Sequence, residues 1–197
     1  MNTANTPDTV AASADTASAI GQNDAKFSLG IDLGTTHCAL SWVDRAARDG
    51  EKVVQGVLDI PQLCGPASVE GRPLLPSFLY LPHESELTPA DMALPWGAAP
   101  HGVVGEFARQ RGAATPIRLV SSAKSWLCHP GVDRRAPLLP ADAPPEVQRV
   151  SPLAASTLYL QHLKSAWDSA HPEAPFDAQD ITVTIPASFD PAARELT

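Results

Sequence analysis

The chain has 197 residues, 44% of them hydrophobic, and its 22 acidic against 14 basic side chains leave a net charge of −8. That balance argues against a nucleic-acid surface, which needs clustered Lys and Arg, and no apolar run approaches the roughly 20 residues that a bilayer crossing requires. Cys38, Cys64 and Cys128 are far apart with no C-x-x-C spacing, which favours reduced thiols and a cytoplasmic protein over a disulfide framework.

Residues 1–24 contain no basic residue and no apolar run, so they lack both parts of a secretion signal and read as a disordered tail ahead of a folded unit at 25–197. Phe27, Leu29, Ile31 and Leu33 alternate with Ser28, Gly30 and Asp32, the period of a strand with one buried face. Gly34-Thr35-Thr36 turns the chain and His37–Val43 returns it, a hairpin. Lys52–Leu58 reads as a third strand. Pro76–Leu81 reads as a fourth, placed near an edge by its flanking prolines. The 20 prolines gather in 60–100 and 130–152, which read as loops joining shorter elements.

Val103-Val104-Gly105 predicts a short strand, Glu106–Gly112 a short helix ended by its glycine, and Ser121–Leu127 another short helix with serines available to cap it. Ser151-Pro152 opens the longest helix, over 151–170, with Leu153, Leu160, Leu163 and Trp167 on one face. Ile181–Ile185 alternates as a strand and Asp190-Pro191 starts a helix still running at Thr197. This is an α/β order, and the unfinished helix suggests a folding unit that continues past the sequence.

Gly30-Ile31-Asp32-Leu33-Gly34-Thr35-Thr36 sets a carboxylate on the non-core face of a strand just before a turn of small residues. Such a turn lets backbone N–H groups approach a phosphate closely, Thr35 and Thr36 add hydroxyl donors, and Asp32 suits Mg²⁺ held through its water shell. Taken alone, the five residues Asp32–Thr36 read equally well as a plain hairpin turn, and no Walker A string occurs.

Phe27–Thr36 resembles the first phosphate loop of the actin, sugar-kinase and heat-shock chaperone superfamily, and later segments resemble the 70-kDa heat-shock chaperone branch, in that family's order. Leu75-Pro76-Ser77-Phe78 is similar to its Thr-Pro-Ser-aromatic strand, Val104-Gly105-Glu106-Phe107-Ala108 to its Ile-Gly-Asp-x-Ala, and Ser122–Leu127 to its Asp-Ala-Lys-Arg-Leu-Ile. Ile181–Phe189 is similar to its Val-Ile-Thr-Val-Pro-Ala-Tyr-Phe, with Arg194 and Thr197 where that motif has Arg and Thr. The resemblance covers about 27–197 and is poor at 44–73 and 128–150.

It implies an actin-like ATPase (ribonuclease H-like) fold, here the first lobe of a nucleotide-binding domain. By the same resemblance Asp32 would hold Mg²⁺ through water, and Gly34, Thr35 and Thr36 would bind the phosphates of ATP or ADP. Lys124 would be the catalytic lysine, and Pro186 and Arg194 would relay the nucleotide state out of the cleft. On residue type alone, Lys124 reads as a solvated helix lysine, and Pro186 and Arg194 as an ordinary strand end and helix residue. Trp126 and Trp167 read as core.

His37 departs from the family's common Asn, and Cys128-His129 lacks a second pair at metal-ligand spacing. The family's second phosphate loop, catalytic glutamate, adenine pocket and peptide-binding domain have no counterpart before Thr197, so this chain is expected to hydrolyse ATP weakly or not at all. The implied function is that of a chaperone-like ATPase acting with co-chaperones on unfolded or exposed apolar protein segments, without nucleic acid or membrane. A sugar or small-molecule kinase of the same superfamily, or a degenerate, non-hydrolysing interaction module, is the alternative.

Overall fold

The computed structural model describes residues 25–99, 101–187 and 189–197, so the expected tail at 1–24 lies outside the described residues. Strand β1 (Phe27–Leu33) follows its sequence period, with Phe27, Leu29, Ile31 and Leu33 buried and Asp32 turned to the surface. Strand β2 (His37–Asp49) returns antiparallel, setting Ala39 opposite Asp32. It runs well past Val43, because the Asp44 carboxylate accepts the N–H groups of Ala46 and Ala47 at 2.9 and 2.8 Å and carries the chain through a shift in register. Pairing then resumes with β3 (Lys52–Val57).

The proline-bearing stretch beyond is more ordered than its composition suggests. Strands β4 (Ile60–Gly65) and β5 (Ser68–Arg72) form a hairpin. Next, β6 (Leu75–Pro76) pairs with His37 and Cys38 of β2, and β7 (Phe78–Tyr80) starts a separate sheet. The small hairpin β8 (Ala93–Leu94) and β9 (Gly97–Ala98), strand β10 (Val103–Val104), helix α1 (Glu106–Ala114) and strand β11 (Leu119–Ser121) follow. The expected edge position of 76–81 is corrected: β7 lies between β10 and β11. Pro76 sits in β6, so β7 keeps every N–H it needs for pairing on both sides.

Helix α1 runs through Gly112 instead of ending there. A Cβ at Gly112 would lie 2.4 Å from a methyl of Leu119, so this glycine admits a neighbouring side chain and does not stop the helix. Helix α2 (Ala123–Leu127) is also shorter than expected, and neither serine caps it through its side chain. Ser121 is spent pairing with Phe78 in β11, and Ser122 adopts a left-handed backbone with φ 55°.

Helix α3 (Pro152–Ala170) starts as expected, with Ser151 Oγ accepting the Ala154 N–H at 3.0 Å. It buries Ala155, Ser156, Tyr159, His162, Leu163, Ala166 and Trp167, a stripe of steps of three and four. Leu163 and Trp167 belong to that stripe, whereas Leu153 and Leu160 flank it half-buried. The Phe27 ring meets Trp167 edge-on at 5.2 Å, joining α3 to the apolar face of β1. Each large side chain withdrawn from water there contributes about 1.5–3 kcal/mol.

Strand β12 (Asp180–Thr184) lies parallel to β1 on its free side, giving the order β12-β1-β2-β3 with β6 on the far end of β2. Helix α4 (Pro191–Leu196) follows, capped by Asp190 Oδ1, which accepts the Ala193 N–H at 2.7 Å. The architecture is mixed α/β, and no helix among the described residues is long and apolar enough to cross a membrane.

Candidate functional site

The β1–β2 turn can be made only with a residue lacking a side chain at its first position. A Cβ on Gly34 would stand 2.1 Å from the His37 carbonyl oxygen. The turn is tied from behind by Ser77, whose hydroxyl donates to the Gly34 carbonyl at 2.8 Å and whose N–H donates to the Thr36 carbonyl at 2.9 Å. Thr35 and Thr36 are exposed, and among the described residues the Thr35 N–H and both threonine hydroxyls have no protein partner. Free donors gathered on an open turn are what an anion needs.

Asp32 lies on the exposed face of β1, one residue before the end of the strand. Its neighbour across the parallel pairing is Thr184, whose hydroxyl lies 3.2 Å from Asp32 Oδ1 and 3.3 Å from the Ile31 carbonyl. The carboxylate thus keeps a free oxygen toward solvent while one neighbour orients it. A single exposed carboxylate beside a turn of donors suits a magnesium ion that keeps most of its waters and takes its remaining ligands from phosphate.

Lys124 is not the solvated helix lysine that its residue type suggests: it is 8% exposed. Among the described residues its ammonium makes no hydrogen bond or ion pair, and it stands 5.6 Å from the centre of the Phe189 ring. A lysine with a buried stem and no counter-ion is uncommon, because a charge removed from water normally needs a partner. The thiol of Cys38 reports on both charges of the site. Burial pushes it up, the Gly34 backbone pulls it back, and Asp32 and Lys124 act on it with opposite sign.

Pro186 lies in the loop after β12, and Arg194 of α4 reaches back to that loop. Arg194 Nε donates to the Phe189 carbonyl at 3.0 Å and one of its terminal nitrogens donates to the Ala187 carbonyl at 3.2 Å, while the Phe189 N–H donates to the Pro186 carbonyl at 3.1 Å. Arg194 therefore fixes the backbone that carries Phe189, and Phe189 faces Lys124. Arg134 reaches the same segment from the 128–150 loop and binds both oxygens of Asp190, at 3.2 and 2.5 Å, which holds the Asp190 carboxyl below its ordinary range.

Residue-by-residue reading of the sequence did not single out Ser77, Phe189, Thr184 or Arg134. The first three lie inside segments that resemble family motifs. Their roles depend on partners far away in the chain, which no local pattern announces.

Four clefts among the described residues, of about 170, 480, 520 and 360 Å³, are lined by other residues, none by Asp32–Thr36 or Lys124. Thr35 and Thr36 stand on an open face. Chemistry directs attention to this face, because an exposed carboxylate stands beside a turn of free donors. Cys128 and His129 are joined by no further ligand, and the described residues contain no group of three or more His, Cys, Asp or Glu able to hold a metal. Cys38, Cys64 and Cys128 are free thiols. A scan against family models matches nothing in this chain, and neither does a search of curated proteins.

Proposed function

We propose that this chain forms the phosphate-gripping side of an ATP-hydrolysing, chaperone-like domain of the actin fold. The observation that carries the reading is the juxtaposition of a donor-lined turn at Gly34–Thr36 with the exposed carboxylate of Asp32; Lys124, buried and without a counter-ion among the described residues, acts together with Asp32 on the Cys38 thiol that follows the turn. In this reading Gly34, Thr35 and Thr36 hold the phosphates of ATP or ADP and Asp32 orients Mg²⁺ through water. Lys124 offsets charge that develops as the phosphoryl group leaves.

Pro186 lies in the loop that carries Phe189 and Arg194 of α4 holds that loop, so a change in the position of the lysine would reach the outer end of β12 through them. In the same reading that movement couples to the affinity for unfolded, apolar protein segments, with co-chaperones setting the pace of the cycle in the cytoplasm. The coupling is as large as the difference in nucleotide affinity between the two states.

Amide NMR on the ¹⁵N-labelled protein tests the site directly and tolerates weak binding. Mg·ADP is expected to shift the Gly34, Thr35 and Thr36 amides, ADP without magnesium to shift them less, and Asp32→Asn to remove the magnesium dependence. Titration to millimolar Mg·ADP with no movement at those amides would reject the reading. Peptide affinity compared with and without ATP tests the chaperone half separately.

A further inference from the structure

We infer that Ser77 is a positioning residue that keeps the Gly34–Thr36 turn in its donor-outward form; its effect on phosphate rests on the function proposed above. Ser77 is 2% exposed and touches the turn twice, through its hydroxyl to the Gly34 carbonyl at 2.8 Å and through its N–H to the Thr36 carbonyl at 2.9 Å. A trans peptide unit is planar, with its C=O and N–H pointing to opposite sides. Drawing the Gly34 carbonyl back toward Ser77 therefore turns the Thr35 N–H outward, away from Ser77. Drawing back the Thr36 carbonyl does the same for the His37 N–H.

Proton counting fixes the direction of the next link. The one hydroxyl proton of Ser77 is spent on Gly34, so the contact of 3.3 Å to Cys38 Sγ is an S–H donated to Ser77 Oγ. Cys38 is fully buried, and its thiol is pushed up by burial and so keeps the proton it donates. The result is a directed chain, thiol to hydroxyl to carbonyl, that anchors the turn on β2. The flanking strands do not depend on it: Pro76 is registered against His37 and Phe78 against Ser121 by backbone pairing. Loss of the hydroxyl should therefore loosen the turn without dissolving the sheet.

Hydrogen–deuterium exchange and Mg·ADP titration on Ser77→Ala test this together. The backbone N–H of residue 77, which donates to the Thr36 carbonyl, is expected to exchange about tenfold faster, matching loss of one buried hydrogen bond, while the amides of β7 and α3 keep their rates. Mg·ADP affinity is expected to fall about tenfold, the same increment, with a melting temperature close to wild type. Unchanged exchange at the amide of residue 77 overturns the inference whatever happens to affinity. If wild type binds no Mg·ADP and Ser77→Ala still accelerates exchange at that amide, the brace stands and the nucleotide reading falls. Should Ser77→Ala fail to fold, Ser77→Cys carries the same test, because a weaker donor of similar size should give intermediate exchange rates and wild-type rates would overturn the brace.

Discussion

The ammonium of Lys124 stands 5.6 Å from the centre of the Phe189 ring, so the lysine of α2 is parked on an aromatic carried by the loop behind β12. A cation over a ring is held by about 0.5–2 kcal/mol, enough to orient the side chain and too little to prevent its transfer to a phosphate. Arg194 holds the Phe189 carbonyl, so the aromatic platform is itself tied to α4.

Where the wild-type protein turns over ATP, Lys124→Ala should lower the rate about a hundredfold, the usual scale for removing one electrostatic stabiliser, with Mg·ADP still shifting the Gly34–Thr36 amides. Single-turnover hydrolysis with radiolabelled ATP measures it. An unchanged rate would take Lys124 out of the chemistry.

Gly34→Ala should destabilise the fold by more than about 2 kcal/mol, as overpacking against backbone does, because its new methyl would lie 2.1 Å from the His37 carbonyl. The readout is the urea midpoint. A variant as stable as wild type would mean that the turn relaxes easily and has no fixed geometry to offer a phosphate.

Ser122→Gly should do the opposite. Ser122 carries φ 55° immediately before α2, and a left-handed backbone costs a residue with a side chain about 1–2 kcal/mol, part of which glycine returns through a more flexible unfolded chain. A net gain of about 0.5–1 kcal/mol is expected from that difference. A loss of stability in chemical denaturation would show that the serine side chain contributes something beyond its backbone.

His162 should impose a pH dependence on stability. Its Nε2–H donates to the Pro61 carbonyl at 2.9 Å and its ring lies edge-on to Trp96, so burial lowers its pKa from 6.5 to about 4. In that window the unfolded chain takes up a proton that the folded chain refuses. Stability is therefore complete above pH 6.5 and falls as pH drops toward 4, by at most about 3 kcal/mol. His162→Gln, which keeps a donor for Pro61, should flatten the urea midpoint across this range; an equal slope in the variant would assign the effect to other groups.

Much of the site was legible in the sequence. The alternation in Phe27–Leu33 already puts Asp32 on the face away from the core, because side chains of an extended strand alternate whatever they pack against. Ser151-Pro152 and Asp190-Pro191 mark the starts of α3 and α4 for an equally local reason: a short side chain satisfies an orphan N–H within its own helix turn.

The remainder was not legible, because it lies in contacts between distant segments. Ser68–Arg72 has no apolar alternation, since four of its five residues are exposed and its pairing with β4 is a backbone matter. The stripe of α3 that meets the sheet is set by Phe27 and its neighbours, which is why Tyr159 is buried and Leu160 only half so.

The sequence by itself determined where β1, β2, β3, α3 and α4 begin, which face of β1 is apolar, and that the chain turns at Gly34 after Asp32, because these follow from backbone geometry within a few residues. Only the tertiary structure decided that β7 is an inner strand, that Lys124 is buried against Phe189, and that Ser77 grips the turn from behind. Burial and hydrogen-bond partnership depend on which segments meet in space, and that is settled by the packing of the whole chain.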